Sequence, residues 1–245
     1  MRNIKLVVEY DGSDFSGWQF QPNAVTVQGE LKRSLSTLTQ SEVKLTAAGR
    51  TDAGVHALGQ VANFHTNSQL PLQTIKRGGN ALLPGSIRIL SVDEVSESFS
   101  ARFSARARKY RYVISKRPRA VGRMYSWFCP YKLNVGPMQH ACNFILGEND
   151  FKAFCQAGAQ LKHYRCNVSS AVWFEKDDDL IFEITANRFV HNMVRILVGT
   201  FVEIGREKRD SEDMPMILES KDRKQAGPTV PAHGLFLVSV EYSDT

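Results

Sequence analysis

Cysteine is scarce and poorly spaced for a metal. Cys129, Cys142, Cys155 and Cys166 stand 13, 13 and 11 residues apart with no Cys-x-x-Cys pair, so the zinc-ribbon and thioredoxin patterns are missing. Unpaired buried thiols in a reducing cytoplasm are the expectation. His163 and Cys166 make half of a metal site at most, because no second half accompanies them. No apolar run approaches the roughly 18 residues of a membrane-spanning helix. The chain opens on alternating Ile4, Leu6, Val8 and Tyr10, which reads as a strand rather than a signal peptide. Also missing are Gly-x-x-x-x-Gly-Lys-[Ser/Thr], Gly-x-Gly-x-x-Gly and Gly-x-Ser-x-Gly, the usual signs of ATP-driven, dinucleotide and serine-hydrolase chemistry.

What is present is ordinary globular material. The 245 residues are 42% hydrophobic and 23% charged, with a formal charge of +6. At roughly 150 residues per domain this is one large domain or two small ones. The charge is unevenly placed. From Ala101 to Arg123 the chain carries Arg102, Arg106, Arg108, Lys109, Arg111, Lys116, Arg117, Arg119 and Arg123, and no acidic residue. Outside that segment acidic residues outnumber basic ones, 25 to 22. Cations neutralise phosphates and release counterions, and the faces of Tyr110 and Tyr112 can stack on unpaired bases. This favours nucleic acid, with Arg106, Arg108 and Arg111 as candidate contacts. The bland reading is a solvated strand whose edge is guarded by Lys and Arg.

Strands and helices alternate along the chain. Strand 4–10 leads to a Gly-rich loop, and Thr26 caps a helix bearing Val27, Leu31, Leu35 and Leu38. Strands 43–48 and 60–66 flank Gly49–Gly54. A helix runs from Pro71 to about Leu83, where Pro84-Gly85 stops it. Strands 87–95 and 108–115 follow, then a helix from Pro137 to Gly147. Strands 168–176 and 180–186 are joined by Asp177-Asp178-Asp179 as a hairpin. Helices 188–204 and 211–220 precede a last strand, 235–242. Recurrent hairpin-like connections favour α+β with antiparallel sheets over a doubly wound parallel sheet. The change of charge regime places a division into residues 1–105 and 106–245.

Two places carry chemistry. In Ala48-Gly49-Arg50-Thr51-Asp52-Ala53-Gly54-Val55-His56, Asp52 sits between two glycines on a tight turn leaving a strand. Glycines there permit positive φ and close backbone approach. Arg50 can lower the carboxylate's pKa or engage a phosphate. A lone Asp in such a loop is more often an Asx-turn residue. The second place is the helix from Arg188, apolar nearly all round, with a narrow polar stripe of His191, Asn192, Arg195 and Gly199. A buried guanidinium requires an anion. Glu203 could be that anion structurally, or a catalytic carboxylate could be; pairing Arg195 with Asp52 would keep the carboxylate ionised in a dry site.

With these residues in view, the chain resembles the bacterial tRNA pseudouridine synthases of the TruA type. The resemblance covers nearly the whole chain. It rests on Glu9-Tyr10-Asp11-Gly12 with Phe15-Ser16-Gly17-Trp18-Gln19, on Ala48–His56, and on Phe99-Ser100-Ala101-Arg102-Phe103-Ser104-Ala105 running into Arg108-Lys109-Tyr110-Arg111-Tyr112. Gly147–Phe151, Phe189–Arg195 and Gly234-Leu235-Phe236-Leu237 complete it in order, while 206–233 fits less distinctively. It implies isomerisation of uridines in the tRNA anticodon arm, around positions 38 to 40, by a cytoplasmic homodimer without cofactor or metal. It implies two α+β subdomains, with mainly antiparallel sheets joined across a basic cleft and helices outside. It implies that Asp52 is the catalytic aspartate, Tyr110 the active-site tyrosine and Arg195 the arginine paired with the aspartate. Arg50 would be the base-flipping arginine, and Leu235 would lie beside the uracil.

These roles suit the reaction. The bond from ribose carbon 1′ to uracil nitrogen breaks, the base turns, and carbon 5 takes the ribose, all shielded from water. Leaving the stack costs a few kcal/mol unless something fills the gap, and the planar cation of Arg50 can fill it. Tyr110 can stack on uracil or move a proton at carbon 5, and Leu235 supplies an apolar wall. Asp52 can attack the ribose, add to the base or withdraw the proton at carbon 2′. A single carboxylate distinguishes this from ordinary glycoside hydrolysis, which uses a spaced pair. Two rivals stand beside this reading: an RNA-binding module without catalysis, and a hydrolase of small nucleosides.

Overall fold

A computed structural model describes residues 1–243. Its elements in order are β1 (Arg2–Tyr10), α1 (Val27–Thr39), β2 (Thr46–Ala47), β3 (His56–Thr66), α2 (Leu72–Leu82), β4 (Ile87–Val95) and β5 (Ala105–Ser115). Then come β6 (Trp127–Phe128), α3 (Val135–Cys142), β7 (Gly147–Asp150), β8 (Arg165–Lys176), β9 (Asp179–Ala186), α4 (Met193–Gly205), α5 (Asp213–Ser220) and β10 (Leu235–Tyr242). The chain forms two compact units, Met1–Arg106 with Phe236 onward, and Ala107–Leu235. The sequence division gave 106–245 to one subdomain. In the structure, β10 from Phe236 on belongs with the first unit, where Phe236 and Leu237 pair with β3.

In the first unit β1 lies between β4 and β3, antiparallel to both, and β2 adds antiparallel to β3. Strand β10 joins β3 in parallel, Phe236 opposite His56 and Leu237 opposite Ala57. Strand β1 alternates, burying Ile4, Leu6, Val8 and Tyr10, as a sheet covered mainly on one side requires. Strand β3 is buried almost throughout, the mark of a strand covered on both faces. Helix α1 starts where expected: the Thr26 hydroxyl accepts from the Gly29 N–H, and Val27, Leu31 and Leu35 turn inward. Pro71 stands immediately before α2. The expected strand 43–48 shortens to Thr46–Ala47, opposite Asn63 and Ala62 of β3.

In the second unit β9 lies between β5 and β8, antiparallel to both, with β7 antiparallel on β8 and β6 parallel on β5. The β8–β9 hairpin turns at Asp177-Asp178, with Asp177 left-handed at φ 52°. Strand β8 buries Cys166 and Val168, then Ala171 and Trp173. That one-residue slip of phase is a bulge between Val168 and Ser170, which keeps the apolar side facing inward. Helix α4 buries eleven of its thirteen residues and sets Phe201 against Trp173 and Phe182 at ring separations of 5.9 and 5.2 Å. It begins at Met193, not at 188, because Asn192 is left-handed at φ 63°. A left-handed residue cannot continue a right-handed helix.

Candidate active site

The first unit fixes the Asp52 loop from beneath. Gly12 and Gly17 lie so close to it that no other residue fits. A Cβ at Gly12 would stand 2.0 Å from the Val55 carbonyl oxygen, and one at Gly17 2.7 Å from that of Thr51. Gly17 is also left-handed, at φ 87°. The Trp18 N–H donates to the Thr51 carbonyl at 3.1 Å, and Gln60 Nε2 donates to that of Gly49 at 3.0 Å. The Tyr10 hydroxyl meets Thr51 Oγ1 at 2.8 Å, and burial pushes that phenol well above its ordinary range. Within the loop the Val55 N–H donates to the Asp52 carbonyl at 3.2 Å. The result is a half-buried Asp52 beside an exposed Arg50.

His56 closes the loop. Buried at 1% exposure, it accepts the Gly12 N–H on Nδ1 at 3.0 Å, with Asp11 Oδ1 3.1 Å from the same nitrogen. Its ring stacks on Phe236 at 4.8 Å. Sequence reading attached both loop glycines to backbone freedom. Gly54 fits this, at φ 77°. Gly49 does not: its φ is not positive and a Cβ there would meet nothing within 4 Å. The positions that demand glycine, Gly12 and Gly17, lie in the earlier motif, where the chain alone gives no sign of what they touch.

In the second unit Tyr110 is buried on β5 opposite Ile184, with Phe189 edge-on at 4.9 Å. Tyr112, two residues on, is wholly buried; its hydroxyl donates to the Pro231 carbonyl at 2.8 Å. Tyr112 is therefore a core residue rather than a stacking face, and burial raises its phenol well above the ordinary range. The three candidate arginines also separate. Arg106 is exposed at the start of β5. Arg108 lies on the Tyr110 face by the two-residue period and donates to the Asn187 carbonyl at 2.7 Å. Arg111 lies on the opposite face and gives two hydrogen bonds to Glu183 Oε1, at 2.9 and 2.7 Å.

Arg111 is not alone in being matched. Lys109 reaches Glu183 at 2.6 Å, Lys116 reaches Glu175 at 2.7 Å, and Arg117 and Arg119 reach Asp178 and Asp179 at 2.6 Å each. Although burial raises the Glu183 carboxyl, hydrogen bonds from Lys109 and Arg111 outweigh it and hold the pKa below the usual range. Five of the nine cations in the basic segment are thus met by acids of β8, β9 and their turn. The anion-binding footprint inferred from the full run shrinks accordingly.

Arg195, in the first turn of α4, is half-buried. Its Nε donates to the Val230 carbonyl at 2.8 Å and its Nη1 to Asn192 Oδ1 at 2.9 Å. Glu203, the structural alternative for an anion, is taken by Arg209 at 2.6 Å. Gly199 explains itself sterically: a Cβ would lie 1.8 Å from the Pro228 carbonyl oxygen. The Gly227 N–H donates to Thr200 Oγ1 at 2.9 Å. Residues 227–230, within the less distinctive stretch 206–233, therefore lie against α4 and hold Arg195. Leu235 opens β10 at 6% exposure.

All four cysteines are unpaired and buried. Among the described residues no three or more His, Cys, Asp or Glu side chains converge on one point. His163 lies 3.0 to 3.2 Å from the Arg188 guanidinium, a neighbour that repels metal cations. No helix among the described residues is long and apolar enough to cross a membrane.

The family model described as tRNA pseudouridine synthase matches residues 6–104 and 141–243. The tRNA pseudouridine synthase A of Caldicellulosiruptor bescii is 46% identical over 244 residues, 99% of this chain and 100% of its own. That of Acetivibrio thermocellus is 44% identical over 245 residues, with the same coverage. Among solved structures, an H/ACA RNP bound to a substrate RNA containing 2′-deoxyuridine aligns with a TM-score of 0.37 at 9% identity, over 81% of this chain and 43% of that one. With its motifs, its mainly antiparallel α+β architecture and these full-length matches, the chain belongs to the tRNA pseudouridine synthase family.

Proposed function

We propose that this isomerase converts uridines of the tRNA anticodon stem-loop, around positions 38 to 40, to pseudouridine, with Asp52 as its catalytic nucleophile or base. The observation that carries the reading is the mounting of Asp52. A half-buried carboxylate stands on a loop locked by Gly12, Gly17, Trp18 and Gln60, and a loop serving only as a turn has no need of such fixing. Arg195, aimed by Val230 and Asn192, is the cation that serves the reaction. The exposed guanidinium of Arg50 takes the place of the flipped uridine in its stack. Tyr110 and Leu235 wall the uracil, and Arg106 and Arg108 hold phosphates.

The balance of the reaction is simple. The bond from carbon 1′ to N1 is replaced by one from carbon 1′ to carbon 5, and the proton leaving carbon 5 is made up at N1. Nothing is oxidised and nothing is released. The chain works as a homodimer in the cytoplasm, where four unpaired buried thiols remain reduced. A particle of twice 27.5 kDa is the expected mass in solution.

The test is Asp52→Asn with mass mapping of pseudouridine in anticodon-arm RNA. Conversion should disappear while affinity falls less than about tenfold, or 1.4 kcal/mol. A variant that still converts uridine refutes the catalytic assignment. Turnover of free uridine, with binding indifferent to salt, would favour a small-molecule hydrolase instead.

A further inference from the structure

The aromatic face that the basic segment offers to solvent belongs to neither tyrosine. Phe103 is 80% exposed, more than any other aromatic side chain among the described residues. A lone exposed apolar side chain is ordinary on a protein surface; this ring is set apart by the turn that holds it out and by the cations beside it. A flexible loop would let this ring fold back, and the turn that bears it is fixed.

The Ser104 N–H donates to the Ser100 carbonyl at 2.9 Å, and the Ser100 N–H donates to Ser104 Oγ at 3.1 Å. The base of the turn is tied more deeply. Ala101, fully buried, donates its N–H to Asn63 Oδ1 at 2.9 Å and accepts the Tyr242 hydroxyl at 2.8 Å. The Phe99 carbonyl accepts from Asn3 Nδ2 at 2.9 Å, and Asn63 Nδ2 donates to Asn3 Oδ1 at 2.8 Å. Two buried amide side chains, Asn3 and Asn63 at 1% and 4% exposure, thus hold one turn whose tip is a phenyl ring in water.

The surroundings of the ring select its partner. The Arg102 guanidinium carbon lies 5.2 Å from the ring centroid, and Arg106, three residues on, is exposed. Charge complementarity calls for a polyanion, and the ring calls for a flat partner within it; an unpaired stretch of RNA supplies both.

We infer that Phe103 is a stacking platform for an unpaired base of the substrate RNA, flanked by Arg102 and Arg106 on the neighbouring phosphates. The inference rests on the tRNA reading above and adds a binding residue to it. Phe103 takes no part in the chemistry.

The test uses the full chain as wild type, Phe103→Ala, Phe103→Leu and Phe103→Trp. Fluorescently labelled anticodon stem-loop RNA gives Kd, saturating single-turnover reactions give the rate, and gel filtration gives the state of the protein alone. Phe103→Ala should weaken binding by about 5- to 150-fold, with the saturating rate within about twofold and melting temperature and elution unchanged. Phe103→Leu, which keeps apolar bulk without a π-face, should match Phe103→Ala. Phe103→Trp should bind as tightly as wild type or tighter. Wild-type affinity in Phe103→Ala or Phe103→Leu overturns the inference. So does a changed elution volume with unchanged RNA affinity, which would give the ring to a second copy of the chain. If the wild type binds through Phe103 but makes no pseudouridine, the proposed reaction fails and the platform stands. If it makes pseudouridine with a Kd indifferent to Phe103, the platform alone fails.

Discussion

Replacing Gly12 with alanine inserts one methyl group where the protein has no room for it. The new Cβ would lie 2.0 Å from the Val55 carbonyl oxygen, 2.6 Å from its carbon and 3.1 Å from its nitrogen. All three are backbone atoms, so no rotamer change relieves the clash. Restoring contact requires the two loop segments to part by at least about 1 Å. Overpacking of this kind costs about 1–3 kcal/mol, and an all-backbone clash belongs at the upper end. In a chain of this size about 3 kcal/mol corresponds to roughly 6–12 °C in melting temperature. Under the catalytic role proposed for Asp52, the displacement also reaches the chemistry, because the Val55 N–H is bonded to the Asp52 carbonyl; a shift near 1 Å at a reacting group costs about 100-fold in rate. Gly49→Ala is the matched control, since its Cβ meets nothing within 4 Å. That variant should be neutral or stabilised by up to about 1 kcal/mol through the unfolded chain. Melting curves and single-turnover pseudouridine formation read both effects. A Gly12→Ala protein with wild-type rate and melting temperature, or a Gly49→Ala protein damaged as badly, refutes the reasoning.

Arg195→Met should abolish measurable conversion and destabilise by about 1–3 kcal/mol, because the Val230 carbonyl and Asn192 Oδ1 lose their donor; an active, equally stable variant counts against the assignment. Glu183→Gln should cost about 1–2 kcal/mol at pH 7 through its bonds to Lys109 and Arg111. The Glu183 carboxyl is held below the usual range, so its stabilisation is full above the unfolded pKa of about 4.3 and vanishes as pH falls through the folded one. Denaturant melts should therefore show wild type and variant converging below about pH 4, and a constant gap down to pH 3 would contradict this. Burial raises all four thiols, Cys142 to about 12 and Cys166 to about 11. Ellman's reagent at pH 8 should find no reactive thiol in the native protein and four after denaturation; prompt native reaction would refute their burial.

Much of the architecture was legible because its signals are local. Thr26 before an apolar stripe, Pro71 before another, and three aspartates between alternating runs each announce an element that the structure contains. Strand β7 escaped because Gly147-Glu148-Asn149-Asp150 has no apolar alternation; β8 alone makes it a strand. The start of α4 was misplaced because an apolar run cannot reveal that Asn192 is left-handed. Asp52 and Arg195 stood out as a carboxylate on a glycine-rich turn and a guanidinium on an apolar helix. Their supports did not stand out, because Gly12 against Val55 and Gly199 against Pro228 are contacts between distant segments. The same blindness inflated the basic segment: Glu175, Asp178, Asp179 and Glu183, more than fifty residues downstream, fold back on five of its cations.

The parallel pairing of β10 with β3 has a bearing on how the polypeptide matures on the ribosome. The unit synthesised second, Ala107–Leu235, has every one of its residues in hand before the unit synthesised first does. The amino-terminal half must wait, with the His56–Ala57 end of β3 lacking its β10 partner, until Phe236 and Leu237 emerge from the exit tunnel. Such distant pairings are slow to form and leave sticky intermediates open to aggregation. For nascent chains stalled at successive lengths, protease resistance should therefore arise in the later segment ahead of the earlier one, reversing the order of translation.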